Sequence, residues 1–153
     1  MLEAGNEAPD FTLPRDGGGS VTLSALRPSK VVLYFYPKDD TSGCTTEALD
    51  FTRLAEAFNA ADTVVVGLSR DSVKAHDRFT AKHGLSVVLA SDELGDTCER
   101  YGTWAEKSMY GRKYMGIERT TFLIDGEGRI ARAWRKVKVK GHAEEVLDAA
   151  RSL

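Results

Sequence analysis

One stretch decides the fold: Val31-Val32-Leu33-Tyr34-Phe35-Tyr36-Pro37-Lys38-Asp39-Asp40-Thr41-Ser42-Gly43-Cys44-Thr45-Thr46-Glu47. The nearly continuous apolar, β-rich run from Lys30 to Tyr36 predicts a central strand that is buried on both faces. Pro37 ends this strand, and a short polar loop leads to the cysteine. Apolar residues then recur at steps of three and four, which predicts a helix from about Ser42 to Ala60. They are Ala48, Phe51, Ala55 and Phe58. Cys44 is therefore expected in the first turn of this helix.

A cysteine at the start of a helix has the surroundings of a reactive thiol. The free N–H groups and the positive end of the helix dipole stabilise a thiolate, and the thiolate is the nucleophile. Gly43 keeps bulk away from the sulfur, and Thr41 brings a hydroxyl that can donate and accept. Pro37 can wall a pocket without an N–H of its own. The alternative is that Cys44 is an inert, buried cysteine.

The remaining elements extend the pattern to an α/β fold. Short alternating segments at Phe11–Leu13 and Val21–Leu23 predict an N-terminal β-hairpin. Further strands are predicted at 63–69, 87–90, 120–124 and 130–137, and further helices at 71–83, at 94–101 and around 143–150. Strand and helix alternate before a hairpin and a last helix, which indicates an α/β layer sandwich of thioredoxin type. A single domain over residues 1–153 is expected, with 101–115 as its one long irregular stretch.

Composition excludes several classes of function. The 153 residues are 42% hydrophobic and 29% charged, and 21 basic against 23 acidic residues give a net charge of −2. This balance argues against nucleic acid or an anionic membrane as the main partner. No apolar run approaches the ~20 residues of a membrane span, and the acidic N-terminus shows no signal or transit pattern. Two cysteines are too few for a disulfide scaffold, so we expect a cytoplasmic protein.

Three blocks of the sequence resemble the peroxiredoxins, which are thiol peroxidases. Pro37, Thr41 and Cys44 match the signature Pro-x-x-x-Thr/Ser-x-x-Cys. The surrounding sequence resembles the peroxiredoxin Q branch, also called bacterioferritin comigratory proteins. The blocks Ala8–Leu13 and Gly116–Asp125 resemble the same branch. The likeness therefore covers nearly the whole chain.

The resemblance implies a role for each of several residues. Cys44 would be the nucleophile that attacks a hydroperoxide and becomes a sulfenic acid, while Thr41 and Pro37 line the site. Arg119 matches the active-site arginine, whose planar guanidinium stays charged at any relevant pH. Glu47 resembles the glutamate that holds this arginine, although an acidic residue in the first turn of a helix also fits simple dipole complementation.

The second cysteine, Cys98, leaves the regeneration of the thiol open. Relatives often carry a resolving cysteine at positions that are Leu49 and Thr80 here. Leu94, Cys98 and Tyr101 share one face of a predicted helix, which favours a buried thiol over a resolving one. The lack of a cysteine at these two positions favours a one-cysteine mechanism with an external reductant, whether thioredoxin, glutaredoxin or a small thiol. No metal or organic cofactor is expected, because thiols supply the electrons.

Other functions remain open at this point. A redox sensor or relay would use the same thiol but pass its oxidation to a partner protein. A thioredoxin-like disulfide reductase lacks support because the chain has no Cys-x-x-Cys. An interaction module that kept the fold without activity is disfavoured by the joint presence of the motif residues. A monomer or weak dimer is expected from similar proteins.

Overall fold

The computed structural model describes residues 1–153 and contains nine strands and five α-helices. The strands are β1 (Thr12–Pro14), β2 (Ser20–Thr22), β3 (Lys30–Phe35), β4 (Thr63–Ser69), β5 (Val88–Ser91), β6 (Trp104–Met109), β7 (Arg112–Ile117), β8 (Thr120–Ile124) and β9 (Ile130–Trp134). The helices are α1 (Ser42–Arg53), α2 (Ala55–Ala60), α3 (Val73–His83), α4 (Thr97–Arg100) and α5 (His142–Arg151), and a short 3₁₀ helix covers Leu23–Leu26. The structure contains no helix that could span a membrane.

A five-stranded mixed sheet forms the centre, in the order β5-β4-β3-β8-β9. β3 pairs with β4 in parallel and with β8 antiparallel, and β4 pairs with β5 in parallel. The hairpins β1-β2 and β6-β7 lie outside this sheet. The expected α/β fold of thioredoxin type, with a central mixed sheet and an N-terminal hairpin, is confirmed.

Strand β3 is buried on both faces, as its apolar run predicts. Alternate side chains of a strand point to opposite faces, and here they enter two different clusters of core residues. Val31, Leu33 and Phe35 join the cluster on one face of the sheet. Val32 and Tyr34, together with Tyr36 directly after the strand, join the cluster on the other face. The sheet therefore separates two apolar cores, and each contains one of the two cysteines.

The single helix predicted from Ser42 to Ala60 is divided in the structure. Helices α1 and α2 meet at Leu54, whose φ of −97° and ψ of 9° leave the helical range. The Leu54 N–H still donates to Asp50 O at 3.2 Å, and Phe58 N donates to Leu54 O at 3.0 Å. The predicted extent is right, but the chain bends at Leu54, and the apolar spacing carries no sign of this bend.

The prediction of an irregular stretch at 101–115 is wrong. Residues 104–117 form the hairpin β6-β7, in which Trp104 pairs with Ile117 and Met109 with Arg112. Its two-residue turn, Tyr110-Gly111, has φ values of 52° and 76°. A tight turn between twisted strands needs positive φ at both positions. Tyrosine at the first of them hides the turn from a search for Asn-Gly or Asp-Gly.

Several element ends differ from the predictions by a few residues for local reasons. Helix α3 starts at Val73 because the Ser72 hydroxyl accepts from Ala75 N at 3.1 Å, and Gly84 ends it in a left-handed conformation as expected. Helix α4 starts only at Thr97, where the Asp92 carboxylate accepts from Thr97 N and Cys98 N. Strand β9 ends at Trp134, short of the predicted residue 137.

Tyr34 supports helix α1 from below. Its ring stacks on Phe51 of α1 with centroids 4.8 Å apart and lies 5.5 Å from the ring of Tyr36. The neighbouring strand leaves space for this ring at Gly67, where a Cβ would lie 2.6 Å from Tyr34 Cζ. A ring held between two others cannot move aside, so Gly67 helps to set the height of α1 above the sheet.

Gly67→Ala should therefore destabilise the protein, because the new methyl group overlaps the Tyr34 ring. We expect the free energy of unfolding to fall by about 1–3 kcal/mol, as for other overpacked cores. Gly116→Ala is the matched control, since its Cβ would meet nothing closer than Lys107 Cδ at 3.4 Å. Urea denaturation followed by circular dichroism measures both variants. Equal stability of the two would show that the Tyr34 ring is free to shift.

Candidate active site

Cys44 lies in the first turn of α1, as the sequence predicts. Its N–H belongs to the group of amides at a helix start that have no intrahelical partner. The side chain is buried, with 1% of its surface exposed, and packs among the core residues below α1. The sulfur is thus shielded from bulk water, and the positive end of the α1 dipole acts on it at close range.

Arg119 lies between strands β7 and β8 and reaches Cys44 at the end of the central strands. Thr120 pairs with Phe35, the last residue of β3, so the chain at Arg119 lies next to the loop that precedes α1. The Arg119 carbonyl accepts from Val137 N at 3.0 Å, which fixes its backbone. Its Nη2 lies 3.4 Å from Cys44 Sγ. The guanidinium is therefore placed to stabilise negative charge on the sulfur.

Glu47 holds the other nitrogen of the same guanidinium. Its Oε1 accepts from Arg119 Nη1 at 2.7 Å, and the glutamate side chain is 1% exposed. Oε2 is buried without a hydrogen-bond partner. Burial raises the pKa of Glu47 to about 7, although the charge of Arg119 acts in the opposite direction. A proton on Oε2 near neutrality would leave the Oε1 bond to Arg119 in place.

The nearest neighbour of Gly43 in the structure is the guanidinium of Arg119. A Cβ at residue 43 would lie 3.2 Å from Arg119 Nη2, closer than such atoms normally approach. The absence of a side chain lets the guanidinium reach over the start of α1 to the sulfur. The sequence indicates that Gly43 keeps bulk away from the sulfur, and the structure shows that the space beside Gly43 is taken by the arginine.

Pro37 and Thr41 lie in the loop between β3 and α1, and both are exposed. Thr41 occupies the position before α1, where its carbonyl accepts from Thr45 N at 2.9 Å. Its hydroxyl donates to the Lys38 carbonyl at 2.8 Å. Since a hydroxyl has one proton, the remaining capacity of Thr41 Oγ1 is to accept.

Cys98 lies on the opposite side of the central sheet from Cys44. It belongs to the core cluster that contains Phe35, whereas Cys44 belongs to the cluster that contains Tyr34. Both cysteines are free thiols. Cys98 is fully buried, and burial followed by the nearby Asp92 raises its pKa well above that of an ordinary thiol. A bond between the two sulfurs would require the sheet to open, because strands lie between them.

Lys107 is a cation near the site that the sequence analysis did not identify. Burial and the neighbouring charge of Arg119 lower its pKa, and the charge of Cys44 opposes that shift. Lys107 belongs to the β6-β7 hairpin, across from Tyr114. The sequence signal for Lys107 is the Tyr110-Gly111 turn, because a hairpin around this turn brings Lys107 into an ordered strand. The structure also adds Asp39 and His76, which form a buried pair behind the loop.

Comparison with known proteins gives consistent results. Residues 4–133 match the model of the AhpC/TSA family. Peroxiredoxin Bcp of Bacillus subtilis is 47% identical over 99% of this chain and 97% of its own length. Peroxiredoxin Bcp of Xanthomonas campestris is 49% identical over 99% and 98%.

Solved structures agree with these relatives. A structure of the bacterioferritin comigratory protein of Xanthomonas campestris, studied for alkyl peroxide reduction, superposes with a TM-score of 0.91 at 47% identity, over 97% of this chain and 98% of that one. Peroxidoxin BcpB of Mycobacterium tuberculosis gives a TM-score of 0.88 at 31% identity, over 100% and 99%.

The raised pKa of Glu47 predicts a specific dependence of stability on pH. Between its ordinary value of 4.5 and the folded value of about 7, the folded chain holds a proton that the unfolded chain has lost. The free energy of unfolding should therefore fall as pH rises through this window, by at most about 3 kcal/mol from this group.

Glu47→Gln should remove this contribution, because glutamine does not titrate. The free energy of unfolding of the variant should then fall less than that of the wild type between pH 4.5 and 7.5. Urea titrations at several pH values measure it. Glu144→Gln is the control, because Glu144 pairs with Arg53 on the surface and its pKa is lowered. If both variants follow the wild type in parallel, the buried proton on Glu47 is excluded.

Proposed function

Because the chain belongs to the AhpC/TSA family of peroxiredoxins and is a thiol-dependent peroxidase, we propose that Cys44 is its peroxidatic cysteine. The observation that carries this assignment is the contact of 3.4 Å between Arg119 Nη2 and Cys44 Sγ at the start of α1. A cation and a helix N-terminus favour the thiolate. Cys98 also lies in the first turn of a helix, but there the Asp92 carboxylate takes the N–H groups of Thr97 and Cys98, and burial and Asp92 oppose ionisation of the thiol.

The first step is the attack of the Cys44 thiolate on the terminal oxygen of a hydroperoxide. The S–O bond forms as the O–O bond breaks, and the electron pair leaves on the distal oxygen. That oxygen takes up a proton and departs as water or an alcohol, while the sulfur becomes a sulfenic acid. Charge develops on both oxygens during the step, so fixed donors aimed at them lower the barrier. The Arg119 guanidinium and the free N–H of Cys44 supply these donors.

Thr41 has a directional role in this proposal. Its hydroxyl proton is engaged by the Lys38 carbonyl, so Oγ1 faces a substrate as an acceptor. A hydroperoxide carries one O–H donor, and Thr41 would accept that hydrogen bond and orient the O–O bond. Pro37 borders the same loop and offers no N–H that competes for the substrate. Glu47 acts through Arg119, whose second nitrogen it holds.

Regeneration of Cys44 uses a thiol from outside the chain. Cys98 lies on the other face of the sheet, and the two positions where relatives often carry a resolving cysteine are Leu49 and Thr80. An external thiol therefore condenses with the sulfenic acid, releasing water and forming a mixed disulfide. A second thiol attacks this disulfide and restores the Cys44 thiolate. Thioredoxin, glutaredoxin or a small thiol would serve as the reductant.

Two further properties belong to the proposal. The free thiols suit a reducing compartment, which supports a cytoplasmic location. The protein is proposed to be a single domain that works as a monomer or weak dimer. One chain is sufficient for the reaction, because it supplies all the residues assigned to it.

Substitution of each cysteine separates their roles. Cys44→Ser should reduce peroxide consumption to the uncatalysed rate, because serine at neutral pH is not an anionic nucleophile. Cys98→Ala should retain most of the wild-type rate, because Cys98 only packs in the core. Consumption of hydrogen peroxide in the presence of dithiothreitol measures both.

Loss of turnover in the Cys98 variant would instead assign resolution to Cys98. A single stoichiometric burst without turnover, in the wild type with thioredoxin, glutaredoxin and dithiothreitol alike, would favour a redox sensor over a peroxidase.

A further inference from the structure

A buried histidine lies directly behind the active-site loop. His76, on α3, is 0% exposed, and its Nδ1 lies 2.6 Å from Asp39 Oδ2. Its Nε2 lies 3.0 Å from the Ala90 carbonyl on β5. Asp39 belongs to the segment between Pro37 and Thr41 that leads from β3 into α1. A residue of α3 thus contacts the loop that carries the proposed substrate-binding residues.

Both hydrogen bonds of His76 end on atoms that only accept. A carbonyl oxygen has no proton, and both oxygens of the Asp39 carboxylate accept, Oδ2 from His76 and Oδ1 from the Tyr36 hydroxyl at 2.6 Å. A neutral imidazole can donate from only one nitrogen. With Asp39 ionised, the two bonds therefore coexist only when His76 carries a proton on each nitrogen and is a cation.

The pair is part of a network that fixes the loop backbone. Asp39 N donates to Asp71 Oδ2 at 2.9 Å, and the same oxygen accepts from the Ser69 hydroxyl at 2.6 Å. Asp39 is thereby held at its side chain by His76 and at its backbone by Asp71. These donor and acceptor atoms are engaged with one another, so the group is a hydrogen-bonded ion pair and not a set of free metal ligands.

The neighbouring loop residue makes a second, different attachment to α3. Asp40 has a φ of 60° and accepts from Lys82 Nζ at 2.7 Å and His83 Nε2 at 2.8 Å. The side chains of Asp40 and Lys82 are 42% and 62% exposed. Exposed ion pairs of this kind contribute little to structure. The burial of the Asp39–His76 pair marks it as the attachment that fixes the loop.

We propose that His76, in its cationic form, is a positioning residue for the peroxidase reaction, which holds Asp39 and through it places Thr41 and Cys44. This inference rests on the proposed function. Loss of the second ring proton would set a lone pair against either the Asp39 carboxylate or the Ala90 carbonyl. One bond would then break, and the loop would lose its buried attachment.

The charged and titratable groups around the ring give the direction of the pH effect. Asp39 from the loop and Asp71 from the segment before α3 favour the cation, and Tyr36, directly after β3, faces the same site. Burial opposes the charge, but these partners raise the pKa of His76 above its ordinary value of 6.5. The loop is therefore held at lower pH and released as pH rises through the raised value.

Two substitutions of His76 separate its two hydrogen bonds. In His76→Asn the amide N–H₂ reaches the position of Nδ1 and can still donate to Asp39. In His76→Gln the amide reaches the position of Nε2 and donates to Ala90 O instead. We expect His76→Gln to lower the rate constant for peroxide reduction by roughly 10- to 100-fold, because the reacting groups are displaced. His76→Asn should lose several-fold less.

The pH profile supplies a readout that a purely structural role would not change. The wild-type rate constant should decline as pH rises through the pKa of His76, and His76→Asn should lack this decline because it does not titrate. Stopped-flow measurement of peroxide reduction from pH 6 to 10 tests this, with circular dichroism as a check of folding. His83→Gln is the control, since it alters the bond to Asp40 and the ring contact with Phe79 but leaves the Asp39–His76 pair intact, and it should react at the wild-type rate.

The outcomes are distinct. Superimposable pH profiles of the wild type and His76→Asn, or a reversed order of the Asn and Gln variants, would overturn the role of His76. If His76→Gln fails to fold, the profiles of the wild type and His76→Asn still decide. Cys44→Ser is measured in parallel, and if it retains activity the proposed function itself fails, whatever the His76 variants show.

Discussion

The guanidinium of Arg119 joins two groups that come from the same face of one helix, the carboxyl group of Glu47 and the sulfur of Cys44. Its planar fork suits this position, because one nitrogen can hold the carboxyl group while the other remains directed at the sulfur. The remaining features of the site serve that contact. Gly43 leaves the space through which the guanidinium passes, and the burial of Cys44 and Glu47 removes the water that would screen the charges.

The sheet order brings these groups together. Strand β8 pairs antiparallel to β3, so the residue before β8 lies at the end where β3 leaves the sheet. Helix α1 starts from that end, and the ring of Tyr34 supports it through Phe51. The same sheet isolates the second thiol, because Cys98 packs on the far face. The topology thus places Arg119 next to Cys44 and packs Cys98 on the opposite face of the sheet.

Much of this arrangement could be predicted from the sequence, because local patterns carry it. The apolar run of β3 and the periodicity after Cys44 specify a strand and a helix, and the motif residues suggest the partner of the sulfur. The hairpin at 104–117 was missed because Tyr110 hides its turn, and the bend at Leu54 leaves no mark in the apolar spacing. The pair of Asp39 and His76 joins residues 37 positions apart, and only the folded chain shows that both are buried.

The most direct test of the central claim compares two reagents on the Cys44 of Arg119→Ala and of the wild type. Iodoacetamide needs only the thiolate, whereas hydrogen peroxide also needs charge stabilisation as its O–O bond breaks. If Arg119 serves both purposes, the substitution lowers the rate constant for peroxide much more than that for alkylation, by an additional factor of about 10²–10³ as for other oxyanion donors. Equal losses for both reagents, or no loss for either, would contradict the account.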